Sequence, residues 1–133
     1  MVKKTVLFIS MLLFFFNIGF AEVCPSVKDL KQNNFNGWKA FDRDNGLPLI
    51  AVRLKEFKQQ LNEFMLAEWM QNAPEGSARC YYSGKTSKRY IQAFLAKQRL
   101  MPDRAMNHWH KLTPSEVMRC KSKKIDDCLF QAY

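Results

Sequence analysis

The sequence predicts a small α+β domain: an antiparallel β-meander with one longer helix and two disulfides, occupying residues 22–133 behind a signal peptide at 1–21. Three observations predict it. All four cysteines (Cys24, Cys80, Cys120 and Cys128) lie beyond residue 21, an even count that in a short exported chain implies paired thiols. Residues 77–82 alternate, with Ala78, Cys80 and Tyr82 on one face and Ser77, Arg79 and Tyr81 on the other, which is the period of a half-buried strand. Leu54, Phe57 and Leu61 recur at three- and four-residue spacing in a run of good helix formers without Gly or Pro, the period of an amphipathic helix.

The leader comes first. Lys3 and Lys4 form a positive n-region, residues 6–16 an apolar core, and Gly19-Phe20-Ala21 a small-x-small motif, so cleavage is expected after Ala21. The apolar run is short for a membrane span, which disfavours an uncleaved anchor and leaves no stable span in the mature chain. Ala21-Glu22-Val23 before Cys24 is not a lipobox pattern, and lipid attachment there is not expected. The mature domain is therefore expected in an oxidising space, periplasmic or secreted, of a bacterium.

Four cysteines allow three connectivities. Cys24–Cys80 with Cys120–Cys128 is preferred, the first tying the N-terminus to the central strand and the second stapling the tail locally. Chain entropy assigns the long loop about 4 kcal/mol and the short one about 2.5 kcal/mol. A zinc site is not expected, because no Cys-x-x-Cys pair exists.

Taken in order, the mature chain opens on Cys-Pro and a short turn of helix around Val27, Leu30 and Lys31. Apolar runs at 38–41 and 47–50 flank Asp42-Arg43-Asp44-Asn45-Gly46, and Asn-Gly between such runs predicts a hairpin. The same loop lacks the third oxygen ligand and the later Glu of a calcium loop. Helix is predicted over 53–63; residues 64–70 fit either its continuation or the first strand of the meander. Asn72-Ala73-Pro74-Glu75-Gly76 is a turn cluster, followed by the strand at 77–82, a breaker at 83–87 and a second strand over 90–97. Pro102 interrupts the pattern before Asn107-His108-Trp109-His110. Thr113, Pro114 and Glu116 read as N-cap, N1 and N3 of a short helix through Arg119, which delivers Cys120 and the basic run 121–124.

Function is less legible. The chain has no Gly-x-Ser-x-Gly, Walker, His-Glu-x-x-His or dinucleotide motif. Glu56, Glu63 and Glu68 are interleaved with lysines and read as a solvated helix face. Formal charge is +9 overall and is unevenly placed: residues 22–78 hold 7 Lys/Arg against 8 Asp/Glu, and residues 79–133 hold 12 against 4. Such a basic half favours anionic partners. The expected binding surface joins Arg79, Lys85, Lys88, Arg89, Lys97, Arg99 and Arg104, with Tyr81 and Tyr90 interleaved, since guanidinium beside aromatic faces suits phosphate or sugar ligands. His108 and His110 are the candidate acid–base pair of a small nuclease or hydrolase; on a strand they share a face while Trp109 turns inward. No third ligand accompanies them for a metal, and no cofactor is implied.

The features Cys24-Pro25, Cys80-x-Tyr82-x-Gly84, Trp109, Cys120 and Cys128-Leu129-Phe130 resemble a domain-of-unknown-function family of small exported, disulfide-containing proteins of Gram-negative, host-associated bacteria. The resemblance implies β-rich structure around 64–70 and brings no activity. The expected role is that of an exported basic binding protein for an anionic glycan, a lipid head group or a host or envelope protein, with nucleic acid less favoured. The alternatives are a hydrolase using the two histidines and an enzyme inhibitor.

Overall fold

The computed structural model describes residues 21–74, 77–85, 92–103 and 108–132. Along the chain run β1 (Ala21–Glu22), α1 (Val27–Lys31), β2 (Lys39–Asp42), α2 (Ala51–Gln60), β3 (Leu61–Trp69), β4 (Ala78–Gly84), β5 (Ala93–Lys97), β6 (Leu100–Pro102), β7 (Trp109–Lys111), β8 (Met118–Cys120) and β9 (Phe130–Ala132), with a 3-10 turn at Ile125–Asp127. They form two antiparallel sheets. The larger has the order β2-β5-β4-β3-β8-β7, the smaller β1-β9-β6. The predicted meander is β3-β4-β5, extended by β2 on one side and the β8-β7 hairpin on the other.

Residues 64–70 are strand through Trp69, and β3 already begins at Leu61, so the helix ends three residues before the predicted 63. The pattern that suggested helix has a specific origin. The β3–β4 register shifts between Leu61 and Glu63 and again between Phe64 and Leu66. Each irregularity re-phases the strand, because a bulged residue adds one position without a partner. Leu61, Phe64 and Ala67 therefore all reach the core at a spacing of three. The same spacing on a helix would put them on one stripe.

α1 starts where predicted: the Ser26 hydroxyl accepts from the Asp29 N–H at 3.1 Å, capping the first turn. α2 lays Phe57 edge-on against Tyr82, with ring centroids 6.4 Å apart, and Phe64 meets the same ring at 5.8 Å. The hairpin at Asn45-Gly46 forms, with Gly46 at φ +69° and the Asp42 N–H donating to the Leu47 carbonyl at 2.8 Å. Its second arm is reduced to a bridge between Phe41 and Pro48, since proline has no N–H to continue a ladder.

The predicted helix from Thr113 to Arg119 does not form. Trp109 pairs with Cys120 across β7 and β8, both side chains buried, and the Leu112 N–H donates to the Val117 carbonyl at 2.8 Å. That pairing makes residues 109–120 a hairpin and leaves residues 113–116 as its loop, too short for a helix. Capping signals are weak compared with burying an indole.

Both disulfides take the preferred pairing, Cys24–Cys80 and Cys120–Cys128. The first ties the segment before α1 to β4, the second ties β8 to Cys128, two residues before β9. Between the sheets, Phe130 packs on Trp38 and Trp109 at centroid distances of 5.9 and 4.9 Å. The Trp69 indole N–H and the Ser77 hydroxyl both donate to the Leu100 carbonyl, at 2.8 and 2.9 Å, joining the larger sheet to β6. Among the described residues no helix is long and apolar enough to cross a membrane.

Candidate functional site

The disulfide cysteines fix which way the larger sheet faces. Trp109, Cys120, Ala67, Cys80 and Leu95 stand opposite one another across five strands, and all are core residues. Side chains one position away must take the other face. That outer row reads His110, Arg119, Glu68, Arg79, Ala96 and Lys39, paired in register from β7 to β2. A second outer row, two residues along, carries Leu66, Tyr81, Phe94 and Phe41.

The rows make an aromatic bed beside a charge ladder. Phe41 and Phe94 stack at 5.8 Å and 21°, and Tyr81 leans on Phe94 at 6.0 Å. The Arg79 guanidinium lies 4.6 Å above the centre of the Phe94 ring, where the negative face of the ring attracts it. Arg119 donates through Nε and Nη2 to a single oxygen of Glu68, Oε1, at 2.8 and 2.6 Å. The Tyr81 hydroxyl donates to the other oxygen, Oε2, at 3.4 Å. Burial and the Glu68 charge raise the Tyr81 phenol above its ordinary pKa, partly offset by a hydrogen bond from Arg79 and the charge of Arg43. The phenol thus stays protonated at neutral pH and serves as a hydrogen-bond donor.

Arg43, Leu66, Glu68, Tyr81, Arg119 and Lys121 line a cleft of about 390 Å³ over this ladder. Three of those side chains are cations and one is a carboxylate already held by Arg119. The cleft therefore presents excess positive charge, a phenol and a short apolar wall, a combination suited to a carboxylate, sulfate or phosphate group.

Of the predicted surface, Arg79 and its neighbour Tyr81 belong to this face. Lys85 follows β4, away from this face, its backbone N–H donating to the Gln60 carbonyl at 2.9 Å. Lys97 pairs across from Ala78 and is tied down by Glu22 Oε1 at 2.8 Å and the Asn36 carbonyl at 2.9 Å. Arg99 is exposed in the β5–β6 turn at φ +60°. These four do not make one patch; Lys88, Arg89, Tyr90 and Arg104 lie outside the described residues.

His108 and His110 are both exposed beside buried Trp109, whose indole N–H donates to the Leu129 carbonyl at 3.0 Å. Their neighbours differ: His108 Nε2 lies 3.7 Å from Asp127 Oδ1, whereas His110 stands opposite Arg119. No group of three metal-ligating side chains occurs among the described residues. Sequence reasoning missed Arg43, Glu68, Arg119 and Lys121. Glu68 reads in the sequence as part of a solvated helix face, but α2 ends at Gln60 and Glu68 lies on β3. The signal for Arg119 and Lys121 was present, since both flank an inward cysteine as Arg79 and Tyr81 do.

Comparison with known proteins finds no matching family model, no matching curated protein and no matching solved structure.

Proposed function

We propose that this chain is an exported, disulfide-stapled binding protein that takes an anionic ligand in the cleft over the Arg119–Glu68 ladder. The observation that carries the reading is the convergence of Arg43, Arg119, Lys121 and the Tyr81 phenol on one cleft. Glu68 spaces and orients Arg119, and the remaining cations meet the ligand. Export rests on the leader-like residues 1–21 and on two disulfides closing all four described cysteines, chemistry that persists in oxidising compartments. The ligand class is an acidic glycan or a phosphorylated envelope component, the latter including lipopolysaccharide.

The test is binding of a heparin-like glycan and of lipopolysaccharide at low and at physiological salt. Affinity is expected to fall steeply as salt screens the cleft, and to fall again in Arg43→Gln and Lys121→Gln but not in Lys123→Gln. Absent binding, or binding indifferent to salt and to both cleft variants, overturns the reading.

A further inference from the structure

A second surface, on the edge formed by the hairpin arm and α2, has a different chemistry. Leu47, Ile50 and Val52 are 61, 68 and 66% exposed, the exposed large hydrophobics of the described chain. They sit within six consecutive residues at the start of α2. That helix begins without the usual aids: Ile50 holds the N-cap with no side-chain hydrogen bond, and the first turn carries no acid. Ser, Thr, Asp or Asn would stabilise this position, so the apolar residues stand there at a cost to the helix.

Lysines border the apolar tip. Lys55 lies three residues after Val52, on the same helix stripe. Lys31, Lys55, Lys58 and Gln59 line a groove of about 300 Å³, in which Lys58 Nζ donates to Asn33 Oδ1 at 2.6 Å. The neighbouring Lys85 lowers the Lys31 pKa below its ordinary value, with desolvation and charge repulsion acting in the same direction. On α2 the one carboxylate, Glu56, pairs with Arg53 at 3.7 Å, and Asp42 of the hairpin meets the same guanidinium at 3.7 Å.

We propose that this edge docks on an anionic bilayer, with Leu47, Ile50 and Val52 entering the head-group boundary and Lys31, Lys55, Lys58 and Lys85 resting on lipid phosphates. An apolar tip flanked by cations is how a protein lies on a membrane without spanning it. The cations that line the groove are lysines, compact hydrated charges that suit a mobile head-group layer. Arg53 beside them is held by Asp42 and Glu56 at 3.7 Å each, and the guanidiniums Arg43, Arg79 and Arg119 gather on the outer sheet face. Charge of this kind disfavours a second copy of the chain as occupant, because the lysines would face one another. The docking edge stands independently of the cleft.

The experiment is co-sedimentation of the oxidised protein with phosphatidylcholine vesicles, with and without phosphatidylglycerol. Binding is expected only to the anionic vesicles. The double variant Ile50→Ser, Val52→Ser should bind roughly tenfold more weakly, and Lys31→Gln, Lys55→Gln should weaken binding and flatten its salt dependence. All the replaced side chains of this edge are exposed, and circular dichroism confirms that each variant folds. Lys121→Gln, which weakens the cleft, leaves vesicle binding unchanged. The proposal is overturned by equal binding to neutral vesicles, by full binding of the Ile50/Val52 variant, or by soluble glycerol phosphate competing as well as vesicles do. A dimer that forms through this edge in sedimentation velocity, without vesicle binding, overturns it too.

Discussion

Arg119 on β8 and Glu68 on β3 stand directly opposite each other, and two nitrogens of the guanidinium, Nε and Nη2, grip the same carboxylate oxygen. The pair joins the meander to the β7–β8 hairpin on the face away from the core, while Ala67 and Cys120, one residue away, join them on the inside.

Removing one partner leaves the other charge part-buried and unmatched. Arg119→Ala is expected to cost about 1–3 kcal/mol, read from the urea midpoint. Arg119→Lys should recover little of it, because an ammonium cannot present two donors in one plane. A full recovery by lysine would mean that charge alone matters there.

The two disulfides differ in the loop they close, with sequence separations of 56 and 8. Replacing Cys24 and Cys80 together by Ala should cost about 4 kcal/mol, and replacing Cys120 and Cys128 about 2.5 kcal/mol. Paired chemical-denaturation curves decide the order; the reverse order would show that native packing around the tail outweighs chain entropy.

The Tyr82 hydroxyl, fully buried, donates to the Pro25 carbonyl at 2.6 Å, and burial raises its pKa well above 10.0. The unfolded phenol ionises first as pH rises, so the folded state then holds more protons than the unfolded one. Stability contributed by Tyr82 is complete below about pH 10 and is lost above it. Tyr82→Phe should cost roughly 1 kcal/mol at neutral pH and make the alkaline loss of stability shallower, as a pH series of denaturation midpoints would show.

Trp69 and Ser77 meet on one acceptor, the Leu100 carbonyl. Trp69→Phe keeps much of the ring and deletes one donor; Ser77→Ala deletes the other. Each alone should cost about 1 kcal/mol and the double variant more than the sum, because the second deletion leaves that buried acceptor without a side-chain donor. Hydrogen exchange at the amides of β6 should quicken in the double variant.

The parts of the fold legible in the sequence were those set by local rules. Alternation around Cys80 gave β4, Asn45-Gly46 gave a turn, and Val27, Leu30 and Lys31 gave the first helix. Residues 61–70 were obscured because two bulges gave a strand the spacing of a helix, and no local rule announces a bulge. Residues 113–119 read as a helix because their capping pattern is real, but Trp109 and Cys120, eleven positions apart, claim the backbone for a hairpin. The candidate site was half legible for the same reason. Arg79 and Tyr81 lie on a strand whose parity the sequence shows, whereas Arg43, Glu68 and Arg119 reach them only through pairing between strands remote in sequence.

One pairing bears on how the molecule is made. Ala21 and Glu22 lie against Gln131 and Phe130, so the smaller sheet cannot close until residue 131 has been delivered. The segment around residue 22 is synthesised long before its strand partner, and the Cys24–Cys80 bond is the clasp that holds it to β4 whether or not that partner has arrived.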